Sequence, residues 1–371
     1  MSNSATSIFN LLIVGEKTRI AHLKKFASEL EKLHVKCMVV NDLEYIDKST
    51  EINLLKKSQK NKKIKELLKN FKPNAVLLDR LSKFGQIIIK EQIPLLILLR
   101  GNYWEESSYV KEEISENFVK KMSFDKHQKI AEEIFSKAHI ILPISKYLES
   151  IVLAKYPKKN IRLFHADGRD SSEWFREKGM ELKHPCVGLL QGANIWGKTK
   201  ELAILPEILE KLPDVHFYWA GDGVYKDKVL PLLEKYENFH WLGSLEYPDK
   251  VREFLTEIDV YLLLTGLEGL GQTVIEASLM KKPIIATNVG GIPDLVKDGN
   301  TGCLIKLGDS KDAISKISFL LKNNSEGVIF GENAYNFVKE NFSWSKIALD
   351  FSRIMTKHSD LFITKKRNNN L

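Results

Sequence analysis

Residues 264–280 (LTGLEGLGQTVIEASLM) are the stretch that most limits what this chain can fold into. Gly266, Gly269 and Gly271 predict a loop whose backbone can approach a ligand closely, because glycine has no Cβ and tolerates positive φ. From Gln272 onward, apolar residues recur at helical spacing. The pattern therefore predicts a glycine-rich loop that runs directly into an amphipathic helix.

Two glutamates, Glu268 and Glu276, flank the start of this predicted helix. The unpaired N–H groups and the positive dipole end of a helix favour a phosphate group at this position. Carboxylates aimed at that anion would repel it, so we expect both to reach past it to neutral hydroxyl groups. A nucleotide-diphosphate sugar has this layout. Two solvated glutamates on an ordinary strand–loop–helix unit are the alternative that the spacing alone leaves open.

The same region resembles a known family. Residues 268–291, together with 288–296 and 298–302, are similar to the signature of the retaining glycosyltransferases of family 4, also called glycosyltransferase group 1. The resemblance implies the GT-B fold, an α/β architecture. It has two facing Rossmann-like doubly wound domains, an interdomain cleft and a C-terminal helix that crosses back to the first domain. The resemblance is strongest over residues 187–305.

The resemblance also implies roles for the residues of the central stretch. Glu268 is expected to act in catalysis by contacting the donor sugar, and Glu276 is expected to bind the ribose hydroxyls. The loop between them is expected to hold the diphosphate through backbone N–H groups. The donor-binding residues of this loop are Gly269, Gly271, Gln272 and Thr273.

Three further positions complete the donor side that the resemblance implies. Lys198 matches the family's diphosphate-binding lysine and is assigned to catalysis, whereas Ala193 stands where the family has an arginine. Gly192 belongs to the same loop. Leu245 lies in a stretch whose backbone is expected to contact the nucleobase. A surface lysine without a ligand is the alternative for Lys198.

In the first half of the chain, Arg100 follows a predicted strand, at a position where the family commonly has a histidine. Ligands of open α/β sheets lie at the carboxyl ends of strands. We therefore assign Arg100 to catalysis as a partner of a phosphate or carboxylate. A structural salt bridge is an equal alternative. The expected acceptor-side residues are Gly15 and Asn102.

The order of the predicted elements indicates two α/β domains. Short apolar strands alternate with helical segments, and 371 residues are many for one domain. The predicted parts are an acceptor-side domain over 1–166, a nucleotide-sugar domain over 167–345, a returning helix over 346–362 and a disordered tail over 363–371.

Composition bears on compartment and partners. The three cysteines, at positions 37, 186 and 303, are far apart and lack metal-type spacing, which favours a reduced, cytoplasmic compartment. We expect no secretory leader and no membrane-spanning run. The net charge of +8 is concentrated in the first half. It suggests an anionic partner such as the inner face of a membrane or a phosphorylated acceptor, or a lysine-rich surface without any partner. Nucleic acid is disfavoured, because the lysines lack interleaved aromatic residues.

Taken together, these features predict a retaining hexosyltransferase that moves a sugar from a nucleotide-diphosphate sugar to a glycan, lipid or small-molecule acceptor. The resemblance implies that no obligatory metal or other cofactor takes part, and the sequence has no Asp-x-Asp pair. Two alternatives stay open. One is a non-catalytic GT-B partner subunit or scaffold. The chain differs from the family at Arg100, at Ala193 and at Leu264, where relatives often have proline, and these differences allow that alternative. The other is a nucleotide-sugar epimerase or hydrolase.

Overall fold

The computed structural model describes residues 9–45 and 54–362, with the side chains of 54–60 excepted. Within this part of the chain, two parallel sheets form the centres of two α/β domains. The predicted fold class is confirmed. The first predicted strand begins at Phe9, and the predicted tail over 363–371 lies outside the described residues.

The first domain is built on a parallel sheet with the strand order β2-β1-β3-β4-β5. Its strands are β1 (Phe9–Gly15), β2 (Val35–Asn41), β3 (Ala75–Asp79), β4 (Leu95–Leu99) and β5 (Ile140–Pro143). Its helices are α1 (Ile20–Lys32), α2 (Leu54–Phe71), α3 (Lys83–Lys90), α4 (Tyr103–Glu113), α5 (Phe118–Lys137) and α6 (Lys146–Lys155). Strands β3, β4 and β5 are buried along their whole length, which explains their continuous apolar sequences.

The second domain is built on a parallel sheet with the strand order β11-β10-β9-β6-β7-β8. Its strands are β6 (Cys186–Leu190), β7 (His216–Ala220), β8 (Phe239–Gly243), β9 (Val260–Leu263), β10 (Ile284–Thr287) and β11 (Cys303–Ile305). The helices that follow β6 are α7 (Trp196–Thr199), α8 (Leu205–Lys211), α9 (Leu230–Leu233), α10 (Asp249–Glu257), α11 (Gln272–Leu279), α12 (Ile292–Leu295), α13 (Ser310–Lys322), α14 (Asn324–Asn341) and α15 (Trp344–Lys357).

The last helix, α15, returns to the first domain and packs against α1. The ring of Phe351 on α15 meets the rings of Phe26 and Phe164 at centroid distances of 5.3 and 5.4 Å. Burial of these aromatic rings fixes α15 to the first domain. The predicted crossing of the C-terminal helix is thereby confirmed.

The order of secondary structure follows the sequence pattern closely. Ser145 precedes α6, and its hydroxyl accepts a hydrogen bond from the N–H of Leu148 at 3.3 Å, as an N-cap residue does. The helix predicted to start at Gln272 starts there. In the part of the chain that the structure describes, no helix is both long and apolar enough to span a membrane.

Replacing Phe351 with alanine tests whether α15 is packed against the first domain. Phe351 is 1% exposed, whereas Leu349 on the same helix is 38% exposed. We expect Phe351→Ala to lower the free energy of unfolding by about 3–5 kcal/mol, because it leaves a cavity in the core. Leu349→Ala should change it by less than about 0.5 kcal/mol. Urea denaturation measures both, and equal effects would show that α15 is not docked as described.

Candidate active site

A cavity of about 480 Å³ lies between the two domains, where the carboxyl ends of strands from both sheets meet. Arg100 follows β4, Gln191 follows β6 and Thr265 lies just beyond β9. From the first domain, the wall includes Arg80, Leu81, Arg100, Gly101, Tyr103 and Glu106; from the second, it includes Gly192, Ile195, Lys198, Glu268 and residues 270–273.

The loop before α11 is held in one conformation by its own hydrogen bonds. The N–H of Thr265 donates to the Thr287 hydroxyl at 2.8 Å, and the Thr265 hydroxyl donates to the Leu267 carbonyl at 3.0 Å. Gly271 ends the loop with a φ of 102°, a left-handed conformation that favours glycine. Because this N-cap residue has no side chain, the first N–H groups of α11 stay available to an anion at the cavity wall.

Lys198 and Glu268 form an ion pair beside the start of α11. The Lys198 ammonium lies 2.8 Å from Glu268 Oε1, and the backbone N–H of Gly269 donates to the same oxygen at 3.1 Å. Both side chains line the cavity and are mostly buried. The structure thus brings a cation, a carboxylate and a helix start together in one interdomain cavity. The catalytic roles of Lys198 and Glu268 stay predictions.

The second glutamate of the predicted pair, Glu276, is directed elsewhere. The Arg169 guanidinium donates to Glu276 Oε1 through Nε at 3.1 Å and Nη2 at 2.8 Å. Burial raises the pKa of Glu276 above its ordinary value, although the Arg169 charge acts in the opposite direction. Glu276 is not one of the residues that line the cavity. Its ribose contact stays a prediction.

Arg100 lines the cavity but is already paired with two buried carboxylates. Its guanidinium donates to Asp79 and, at 2.6 Å, to Asp167. The geometry favours the structural salt bridge over the assigned catalytic role, which stays a prediction. The reason is that a buried arginine held by two carboxylates has little charge left for a substrate.

Asp167 also joins this network to α1 and α11. Arg19, directly before α1, donates to Asp167 at 2.6 Å and to the Gln272 side chain at 3.1 Å. Burial alone would raise the pKa of Asp167, but the charges of Arg100, Arg19 and Arg169 lower it below its ordinary value. The ionised form of Asp167 therefore stabilises the folded protein.

Glu106 is a cavity residue that the sequence analysis did not identify. It lies on α4, and its carboxylate packs against the Cα of Gly101. Burial raises its pKa, with Glu268 and Glu105 adding to that effect and Lys198 and Arg80 opposing it. Its position one turn into the helix after a strand end was the available signal, because such helices begin at the edge of the sheet where ligands bind.

The other predicted residues separate into two groups. Gly192, Gly271, Gln272 and Thr273 line the cavity. The cavity wall does not include Gly269, Leu245, Gly15 or Asn102.

Each residue of the second group has a packing or capping role instead. Gly269 lies against the Arg100 carbonyl of the first domain, so closely that a Cβ would collide with it. Leu245 packs on the apolar core, and Gly15 lies under the Leu23 side chain. Asn102 caps α4 by accepting a hydrogen bond from the N–H of Glu105 at 3.3 Å. Roles for these four residues in substrate binding stay predictions.

The second domain is similar to a known family of proteins. Residues 198–337, which contain Lys198 and the whole of α11, match the family model of glycosyl transferases group 1. The match covers 140 of the 371 residues. The predicted resemblance is confirmed, and the match falls on the domain that supplies the ion pair and the helix start.

Several glycosyltransferases are similar to this chain. An uncharacterised glycosyltransferase of Methanocaldococcus jannaschii, MJ1069, is 27% identical over 266 residues, which are 68% of this chain and 66% of that protein. The chain spans 55% of the length of two other curated relatives. Sucrose-phosphate synthase from Thermosynechococcus elongatus superposes with a TM-score of 0.74 at 15% identity, covering 94% of this chain and 98% of that one.

A second solved structure, HepE from Anabaena in complex with UDP and glucose, superposes with a TM-score of 0.69 at 14% identity. The alignment covers 93% of this chain and 99% of that one. Both structures share the two-domain architecture over nearly their whole length. The predicted GT-B fold is therefore confirmed.

Replacing Asp167 with asparagine tests the buried network by its pH dependence. We expect Asp167→Asn to lower the free energy of unfolding by about 3–5 kcal/mol at pH 7, because it leaves buried arginines without their carboxylate. Since the folded pKa of Asp167 is lowered, its contribution is complete above the unfolded pKa of about 3.9 and is lost as the pH falls through the folded pKa. The difference from wild type should therefore shrink below about pH 4.

Denaturation between pH 3 and pH 8 measures this effect, with the exposed Asp214→Asn as the matched control. A difference from wild type that stays constant down to pH 3 would contradict the role given to the Asp167 charge.

Proposed function

We propose that this protein is a retaining glycosyltransferase that takes a sugar from a nucleotide-diphosphate sugar and needs no obligatory metal ion. The observation that carries the proposal is the Lys198–Glu268 pair at the start of α11, inside an interdomain cavity. The family match and the GT-B fold support the same activity. The cavity volume of about 480 Å³ lies within the usual range for small-molecule sites, about 300–1,000 Å³.

The donor diphosphate would lie between α11 and Lys198. As the bond to the sugar breaks, negative charge accumulates on the leaving diphosphate. The first N–H groups of α11 and the Lys198 ammonium are fixed beside that position and stabilise this charge. Ala193 supplies no second cation in this loop, so Lys198 carries more of the task here than in relatives that have an arginine.

The donor sugar would lie next to Glu268. When the phosphate draws Lys198 toward itself, the Glu268 carboxylate is released to accept hydrogen bonds from the sugar hydroxyls. A carboxylate at this place also favours the positive character that the anomeric carbon gains in the transition state. HepE, a structural neighbour, was solved with UDP and glucose, which supports a nucleotide-sugar donor.

The acceptor would enter from the first domain, whose wall includes Arg80, Tyr103 and Glu106. Glu106 faces this side and can accept a hydrogen bond from an acceptor hydroxyl. A glycan, a lipid-linked group or a small molecule fits this chemistry. We include a cytoplasmic location, with the basic first domain docked on an anionic membrane surface, as part of the proposal.

Donor binding tests the proposal directly. We expect a UDP-, GDP- or ADP-sugar to raise the melting temperature at saturation, because a ligand that binds only the native state stabilises it. Lys198→Met should weaken donor binding about 10- to 100-fold, since a hydrogen bond to a charged group is worth about 1.5–3 kcal/mol. Calorimetry measures the Kd, with the exposed Lys211→Met as the control.

A protein that binds none of these donors would be a scaffold and not a transferase. A protein that converts or hydrolyses the donor alone, and transfers nothing to any acceptor offered, would be an epimerase or hydrolase.

Replacing Glu268 with glutamine separates catalysis from binding. We expect kcat to fall by about 100- to 1,000-fold, the loss seen when one preorganised electrostatic group is removed. The Kd for the donor should change much less, because Glu268 acts mainly in the transition state. Release of the nucleoside diphosphate and NMR of the product's anomeric proton measure rate and configuration. The exposed Glu234→Gln is the control, and near wild-type turnover in Glu268→Gln would refute the assignment.

A further inference from the structure

A second cluster of reactive side chains lies at the opposite edge of the second sheet from the cavity. Cys186 is the first residue of β6, Asp259 directly precedes β9, and His184 lies two residues before β6. One donor atom from each of these residues lies within 4.8 Å of the others. His184 and Asp259 are separated by 75 residues in the chain.

The distances within this cluster suit a tetrahedral metal ion. Cys186 Sγ lies 3.6 Å from His184 Nδ1, and that nitrogen lies 2.8 Å from Asp259 Oδ2. Zinc–sulfur and zinc–nitrogen bonds of about 2.3 and 2.0–2.1 Å at a tetrahedral angle separate sulfur from nitrogen by about 3.6 Å. The sulfur–nitrogen distance already fits, and the nitrogen–oxygen pair has to open by about half an ångström.

A fourth residue orients the histidine as the outer shell of a metal site does. His184 Nε2 lies 2.9 Å from Glu257 Oε1, at hydrogen-bond distance. Without a metal ion, Nδ1 is placed to donate to Asp259. Once a metal ion displaces that proton, the proton held on Nε2 by Glu257 leaves the Nδ1 lone pair directed toward Cys186 and Asp259. Metal-binding histidines usually have such a carboxylate partner on the other ring nitrogen.

The cluster is anionic when a metal ion is bound. Cys186 would then be a thiolate and, together with Asp259 and Glu257, would carry three negative charges. The Lys282 ammonium is buried close enough to interact with all three, and it donates to the carbonyls of Thr256 and Ile258 at 2.8 and 2.7 Å. A divalent cation would offset two of these negative charges, and the positive charges of Lys282 and of Arg176, which acts on Lys282, lie nearby.

We propose that Cys186 Sγ, His184 Nδ1 and Asp259 Oδ2 form a zinc site, with Glu257 as a positioning residue for His184. Thiolate, imidazole and carboxylate are the ligand types that zinc accepts, and water would complete a tetrahedron. Binding replaces the thiol proton of Cys186 and the proton that His184 Nδ1 donates to Asp259, and both protons leave to solvent. The bound ion would fasten the segment before β6 to the corner between α10 and β9.

Metal binding to the full-length protein tests this site independently of sugar transfer. Equilibrium dialysis should give one Zn²⁺ per chain. Co²⁺ in its place should give a thiolate-to-cobalt charge-transfer band together with the strong visible absorption of tetrahedral coordination. Cys186→Ala should abolish the charge-transfer band, whereas Cys37→Ser, which removes a cysteine far from the site, should keep it.

Two surface variants avoid the risk of unfolding, because the side chains of His184 and Glu257 are 40% and 30% exposed. His184→Gln should weaken Zn²⁺ binding more than about 100-fold, and Glu257→Gln by about 10- to 100-fold, the usual loss for an outer-shell partner. Absence of stoichiometric Zn²⁺ binding to the wild type would overturn the proposal. Binding that is unchanged in folded His184→Gln would overturn it too.

Discussion

The ionised carboxylate of Asp167 is the interaction on which the arrangement of the two domains depends. It lies buried where the chain passes from the first domain to the second, and it pairs with Arg100 at the end of β4 and Arg19 before α1. Arg19 also reaches Gln272 at the start of α11. One buried anion thus fixes the ends of elements from both domains around the cavity. Without it, two buried guanidinium groups would face each other with one carboxylate fewer.

The sequence predicted the structural features that depend on residues close together in the chain. The loop and helix over 264–280 and the alternation of strands and helices rest on local patterns, and the structure has them. The sequence also identified Lys198 and Glu268, which the structure places at the cavity wall. Both were identified because residues that resemble the glycosyltransferase signature lie in this region of the sequence.

The partners of buried charges could not be found in this way. Glu276 pairs with Arg169, which is 107 residues distant, and Arg100 pairs with Asp167, which is 67 residues distant. The cluster of His184, Cys186 and Asp259 is likewise formed by the pairing of β6 with β9 and not by sequence spacing. Such contacts arise from sheet topology. A single sequence therefore shows which residues are charged or reactive, but it does not show which residues they contact.

The close approach of Gly269 to the Arg100 carbonyl has a consequence for water. At this point the backbones of the two domains are in contact, and there is no room for even a methyl group between them. A side chain here would keep the two domains apart and, in the proposed transferase, would expose the donor sugar to solvent. An activated sugar exposed to solvent reacts with water in place of its acceptor. In the proposed transferase, glycine at position 269 would therefore favour transfer of the sugar to the acceptor over its hydrolysis.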